Sequence, residues 1–161
     1  MGKEAKTNAM RMLDKNKISY EALVYECDEF IDGIHCAEAT GASVEQSYKT
    51  LVMVGKSGQH YVFVIPIARE VDLKKAAKSV GEKSVQMIHV KELTPLTGYV
   101  RGGCSPIGMK KFFKTTFQKE AAEYDTIMFS AGKIGYQVEL PLKEVSKVIR
   151  YQLGDIVTEA Q

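Results

Sequence analysis

Residues 49–67 read KTLVMVGKSGQHYVFVIPI, and this stretch decides the class of fold. Two runs rich in β-branched and aromatic residues, KTLVMVG and HYVFVIPI, are separated by KSGQ, a connection suited to a tight hairpin. The next segment does not repeat that pattern. DLKKAAKSVG, residues 72–81, has Asp72 placed to cap a helix and Gly81 to stop it. SVQMI reads as a short strand and VKELTPL as a brief helix. TIMFSAG and GYQVEL then read as two strands around SAGKIG. Before the hairpin, TNAMRMLDKNKI carries Ala9, Met10, Met12 and Leu13 at helical spacing behind Thr7 or Asn8 as cap. YEALVYEC alternates as a strand does, and IHCAEATG reads as a helical turn or two closed by Gly41. Pro141 is expected to open a final helix over LKEVSKVIRYQL, with Leu142, Val145, Val148 and Ile149 on one face. Hairpins alternate irregularly with helices. The reading is therefore an α/β domain of α+β type, a curved mixed sheet or partial barrel with flanking helices, and not a doubly wound sheet.

Length and composition set the outer bounds. The chain has 161 residues, is 45% apolar and 26% charged, and has a formal net charge of +2. That suits one domain over residues 1–161 with a substantial core. Twenty-two basic against 20 acidic residues exclude a histone-like polycation, so any nucleic-acid contact must be a local patch. Cys27, Cys36 and Cys104 are widely spaced and odd in number, which argues against a disulfide framework or a structural zinc site. No apolar run approaches the ~20 residues of a membrane span. MGKEAKTNAM lacks an apolar signal core, and Lys6 stands where a myristoylation signal needs Ser or Thr. The expectation is a cytoplasmic protein with no membrane association, no metal and no cofactor.

Candidate chemistry gathers at three places. Lys49 opens an apolar strand, with Thr50 next to it. Lysines at strand starts are usually solvated, yet at the lip of a pocket such a cation suits a phosphate or a developing oxyanion, and Thr50 adds a hydroxyl. The second place is GYVRGGCSPIGMKK, residues 98–111, which reads either as an anion-binding nest of the Gly102 and Gly103 amides with the Ser105 hydroxyl as a further donor, or as a structural turn stopped by Pro106. Its spacing fits neither a P-loop nor GxGxxG. The third is SAGKIG, residues 130–135, which a tight hairpin explains nearly as well. His35, His60 and His89 show no ligand spacing, and Cys104 reads as an apolar filler. No motif announces a protein nucleophile.

SYKTLVMVG, DLKKAAKSVG, TGYVRGGCSPIGMKK and SAGKIGYQVEL, in that order and spacing, resemble the YbaK/EbsC-like aminoacyl-tRNA deacylases over residues 20–155. The resemblance is nearest to the bacterial branch acting on Cys-tRNA(Pro) and also on Cys-tRNA(Cys). It implies a curved mixed sheet with flanking helices and hydrolytic editing of mischarged tRNA without a cofactor. Lys49 matches the family's essential lysine, which orients the aminoacyl end and is not a nucleophile. Gly102 and Gly103 match the loop whose backbone meets that end. Ser130, Ala131 and Gly132 match a second wall, and Tyr25 matches a ring lining the pocket, with Phe30 placed on the same side. In this branch the substrate's own thiol is thought to attack its ester, releasing a cyclic thiolactone. Arg101, Lys110, Lys111 and Lys114 are the expected tRNA patch, and prolyl-tRNA synthetase is a partner implied by the resemblance. Lys74, Lys75 and Lys78 read as a solvated helix face. The alternatives are a deacylase for another mischarged ester such as Ala-tRNA(Pro), or a non-catalytic relative binding tRNA or a small ligand. Cys104 and Ile134 depart from the family, which often has an apolar residue and a basic one there.

Overall fold

A computed structural model describes residues 6–24 and 45–159. The order along the chain is α1 (Asn8–Lys15), β1 (Glu21–Val24), β2 (Tyr48–Gly55), β3 (His60–Pro66), α2 (Leu73–Val80), β4 (Val85–Met87), α3 (Val90–Thr97) and β5 (Lys114–Gln118). A 3₁₀ turn (Lys119–Glu123) then leads to β6 (Ile127–Lys133), β7 (Tyr136–Leu140), α4 (Leu142–Val145) and β8 (Tyr151–Gly154).

The central hairpin forms as its sequence implies, with β2 antiparallel to β3 from Tyr48 opposite Pro66 to Val54 opposite His60. Around it lies a five-stranded sheet in the order β4-β2-β3-β5-β8, in which β5 and β8 run parallel to their neighbours. A three-stranded antiparallel sheet, β1-β7-β6, lies beside it. Among the described residues the two are stitched where Ser47 bridges Met128 in parallel and the Met128 amide donates to the Gln46 carbonyl at 2.9 Å. The result is the curved mixed arrangement expected, neither a flat sheet nor a doubly wound one.

Strand β3 is buried on both faces, which is why HYVFVIP reads as a continuous apolar run. Val62 and Val64 face the main core with Val52, Phe117, Phe129, Val138 and Leu140. Tyr61, Phe63 and Ile65 face a second cluster with Met53, Ala76, Ala77 and Ile156. The helices close these cores. Thr7 Oγ1 caps α1 by accepting from the Met10 amide at 3.1 Å, and Ala9, Met10 and Leu13 go inward. Asp72 caps α2 by accepting from the Lys75 amide at 3.0 Å, and Gly81 ends it in the left-handed region.

Two expectations are corrected. The final helix stops at Val145, and Tyr151–Gly154 is instead the edge strand beside β5. The gain is aromatic: as an edge residue Tyr151 sets its ring edge-on to Phe117, centroids 5.1 Å apart. The second correction is β5 itself, KTTFQ, to which the sequence pattern assigns no element. Its period is hidden because Thr115, Thr116 and Gln118 are polar yet buried. Each finds partners. Gln152 donates to Thr116 Oγ1 at 2.9 Å, Thr115 donates to the Phe113 carbonyl at 2.8 Å, and Gln118 accepts from the Ile156 amide at 2.8 Å. A strand whose buried face is satisfied by hydrogen bonds carries no hydrophobic period to read. The helical turns expected at residues 34–41 lie outside the described residues.

One carboxylate latches the β2–β3 turn. Glu82 accepts from the hydroxyl of Ser57, from Tyr61 at 2.6 Å and from the Ser57 amide at 3.1 Å. These donors, the Ser57 hydroxyl first, hold its carboxyl below the usual carboxylate value. A depressed folded-state pKa means a stabilisation that is present above the unfolded value of about 4.3 and is lost as pH falls through the folded value. The difference in melting temperature between the native protein and Glu82→Gln should therefore be largest near pH 6 and shrink steadily below pH 4. A difference that stays constant down to pH 3 would rule the latch out.

Candidate functional site

The glycine-rich loop is built around a residue that no motif in the sequence singles out. Helix α3 ends at Gly98 in the left-handed region, and Tyr99 turns straight inward, only 5% exposed. Its hydroxyl donates to the Ile107 carbonyl at 2.6 Å, tying the two ends of the loop together. Thr94 donates to the Tyr99 carbonyl at 2.9 Å, and the Tyr99 amide donates to Thr97 at 3.0 Å. Burial pushes the Tyr99 phenol well above its ordinary range, so it stays a donor. The signal in the sequence is an aromatic directly after a helix-stopping glycine in a loop otherwise poor in aromatics.

Within the loop the two glycines have different roles. Gly102 adopts φ 85°, and the Gly103 amide donates to the Val100 carbonyl at 2.9 Å, closing a turn with glycine at its third position. The expectation that both amides converge on an anion is corrected here, since Gly103's is spent inside the turn. Gly102, by contrast, is exposed. Gly103 serves instead as a point of close approach, because a Cβ there would lie 2.9 Å from the Ile134 amide nitrogen and 3.1 Å from the Lys133 carbonyl carbon. The loop backbone thus rests directly on the turn between β6 and β7.

That turn answers in kind. The register of β6 and β7 shifts between Ser130 and Lys133, and Gly132 takes φ 101°. The Gly132 amide donates to Ser130 Oγ at 3.1 Å, and a Cβ on Gly132 would meet the Tyr99 ring at 2.7 Å. GYVRGGCSPIG and SAGKIG, far apart in the chain, interlock around Tyr99. Ser130 and Gly132 are half-exposed on this wall. Ala131 is fully buried in the core behind it. Ser105 is fully buried and accepts from the Ile107 amide at 3.4 Å. Cys104 packs in the main core, and burial pushes its thiol up to about 12, so it stays protonated and a poor nucleophile.

Lys49 is the second residue of β2 and half-buried, and its side chain makes no hydrogen bond or ion pair among the described residues. The Ser47–Met128 bridge sets the start of β2 alongside β6, and two residues further along these strands come Lys49 and Ser130. The start of β2 therefore lies beside β6, the strand whose far turn the glycine loop rests on. Lys49 and Thr50 do not act as a side-by-side pair, because strand period sends neighbours to opposite faces. Thr50 lies opposite Val64 on the main-core face, and its hydroxyl is buried without a hydrogen-bond partner among the described residues. Lys49 lies opposite Ile65 on the other face. An unpaired buried hydroxyl costs about 1–3 kcal/mol, a cost the fold carries at Thr50.

Arg101, Lys110, Lys111 and Lys114 are all exposed. Lys75 is not simply solvated, since it pairs with Asp155 at 3.0 Å and donates to the Val157 carbonyl at 3.1 Å. His60 packs its ring against Phe113, centroids 5.9 Å apart, a structural role. Among the described residues no three His, Cys, Asp or Glu side chains gather as a metal site, and no helix is long and apolar enough to cross a membrane. Tyr25, Phe30, His35, Cys27 and Cys36 lie outside the described residues.

Comparison with known proteins places this geometry. Residues 34–148 match the family model of the aminoacyl-tRNA editing domain. Over 157 residues, 97% of this chain and 96% of the relative, the sequence is 43% identical to EbsC of Enterococcus faecalis (strain ATCC 700802 / V583), named as a candidate Cys-tRNA(Pro)/Cys-tRNA(Cys) deacylase. A more distant relative, YwhH of Bacillus subtilis (strain 168), is 26% identical over 111 residues, 69% of this chain and 70% of its own. A crystal structure described as a candidate trans-editing enzyme for prolyl-tRNA synthetase superposes with a TM-score of 0.83 at 23% identity, covering 97% of this chain and all of the other. The hypothetical protein APE2540 superposes with a TM-score of 0.81 at 17% identity, over 94% of this chain and all of its own.

Proposed function

The chain belongs to the aminoacyl-tRNA editing-domain family, and from that premise we propose that it is a trans-editing deacylase for Cys-tRNA(Pro) and Cys-tRNA(Cys). The observation that carries this reading is the 43% identity to EbsC over nearly the whole of both chains. The domain is read as spanning residues 1–161 and acting in the cytoplasm as a free-standing protein, with prolyl-tRNA synthetase as the partner that presents the aminoacyl-tRNA.

The chemistry proposed needs no protein nucleophile. The cysteinyl sulfur attacks its own ester carbonyl, the new C–S bond replaces the C–O bond to the ribose, and the thiol proton ends on the ribose oxygen. A cyclic thiolactone leaves and the tRNA is free. The protein's part is confinement and charge. An aligned intramolecular attack carries a large proximity advantage. Lys49, a cation on a strand pinned by β3 and β6, holds the acceptor end, and the Gly102 amide faces the developing oxyanion. Support for a substrate nucleophile comes from Cys104, whose buried, protonated thiol leaves it unsuited to the attack. Serine and alanine esters lack the thiol and are spared by chemistry, larger side chains by size.

The test is release of labelled amino acid from Cys-tRNA(Pro), Ala-tRNA(Pro) and Pro-tRNA(Pro), side by side. Rapid loss from the cysteinyl ester alone is expected. Loss from the alanyl ester would keep the editing class and discard the substrate-thiol step. Survival of all three, with the synthetase present, would make the protein a binding relative.

A further inference from the structure

Beyond the interlocked loops, the chain leaves a large aromatic on its surface where burial would be the norm. Phe112 is 60% exposed. It borders a cavity of about 150 Å³ whose other walls include Met12, Met109, Phe113 and Ile149, with Lys111 at its edge. The cavity is smaller than the ~300–1,000 Å³ of pockets that enclose whole ligands, so it suits one flat ring inserted at its mouth.

Along the chain, the charge on either side of this ring has one sign. From Leu93 to Lys119 the chain contains no Asp or Glu, but it contains Arg101, Lys110, Lys111, Lys114 and Lys119. Acids close in sequence to the cavity-lining residues are already engaged: Asp14, near Met12, pairs with Lys6, and Glu144, near Val148, pairs with Lys147 at 2.8 Å. Phe113 is anchored inward against His60, leaving its neighbour Phe112 to face outward. An exposed ring among lysines, over an apolar recess, matches the recognition of single-stranded nucleic acid, where bases stack on aromatics and cations follow the phosphates. A lipid surface would call for a broader apolar face, and a protein groove for a polar rim of both signs.

We infer that Phe112 is a stacking platform for an unpaired nucleotide of the tRNA acceptor end, with Lys110, Lys111 and Lys114 meeting the adjoining phosphates. This deepens the tRNA reading above and rests on it. It assigns to Phe112 a base contact with the substrate, separate from the aminoacyl end held by Lys49.

The chain contains no tryptophan, so Phe112→Trp places a single fluorophore at the platform. The probes are a short RNA hairpin with a single-stranded 3′ end and the same hairpin made blunt. The overhanging RNA is expected to quench the tryptophan, and the blunt one to leave it bright. Phe112→Ala should raise KM for aminoacyl-tRNA roughly 5- to 150-fold, the range for losing one stacked base, with kcat and melting temperature kept, and Phe112→Tyr should restore it. Equal response to both hairpins would reduce the surface to a general polycation and overturn the platform. So would an unquenched tryptophan together with an unchanged KM, or a response to prolyl-tRNA synthetase and none to RNA. Failure of the native protein to deacylate any ester, with quenching intact, would instead sink the deacylase reading and leave the platform standing.

Discussion

Lys49→Ala is expected to slow deacylation of Cys-tRNA(Pro) by roughly 10²–10³-fold, the usual cost of removing one preorganised electrostatic contact from a reacting centre. Melting should hardly change, because Lys49 is half-buried and supports no hydrogen bond or ion pair among the described residues. The strand does not need this side chain. Its position comes from the ladder with β3 and from the bridge at Ser47, both made by backbone. Lys49→Arg separates charge from shape: a planar fork on a strand start cannot occupy the place of a compact ammonium. Most of the loss should therefore persist in the arginine variant. Single-turnover release of labelled cysteine, read beside a thermal melt, decides the matter. A Lys49→Ala protein with native turnover removes Lys49 from the mechanism, and one that melts early makes it a structural residue.

Gly103→Ala should damage both stability and activity, for a reason specific to its contacts. The added methyl meets the backbone of Ile134 and Lys133 at 2.9–3.2 Å, and backbone cannot step aside as a side-chain end can. Overpacking of this kind costs about 1–3 kcal/mol, and in a domain of this size each kcal/mol lowers the melting temperature by about 2–4 °C. Because the loop must lift off the β6–β7 turn, deacylation should fall even at temperatures where the variant is fully folded. Gly58→Ala is the matched control. It too strains a glycine, at φ 93°, but nothing lies within 4 Å of its added carbon, so it should cost some stability and no activity. If the two variants lose activity equally, docking of the loop on the turn has no part in the site.

The central hairpin, the capped helix α2 and the strands around SAGKIG were legible because each rests on local chemistry. KSGQ turns, Asp72 caps, Gly81 stops, and apolar residues mark their own period. The three candidate segments were legible as well, each as a lysine or glycine where a strand or helix ends. Strand β5 was not, since Thr115, Thr116 and Gln118 pass for surface residues until Gln152 and Ile156 are seen to satisfy them. Nor was β8, whose residues continue a helical pattern that pairing with β5 and the ring of Phe117 override.

By itself the sequence determined where the central hairpin turns, where α2 is capped and stopped, and which residue types are available for chemistry, since those depend on neighbours within a few positions. Only the tertiary structure decided what those residues can do together. Strand alternation parts Lys49 from Thr50, although they are adjacent in sequence. A turn hydrogen bond consumes the Gly103 amide, while the same glycine lets two distant loops touch backbone to backbone. Tyr99 seals that contact through the Ile107 carbonyl, and Phe112 is left outside it. Burial and the direction of a side chain are set by segments far away along the chain, so local pattern carries no record of them.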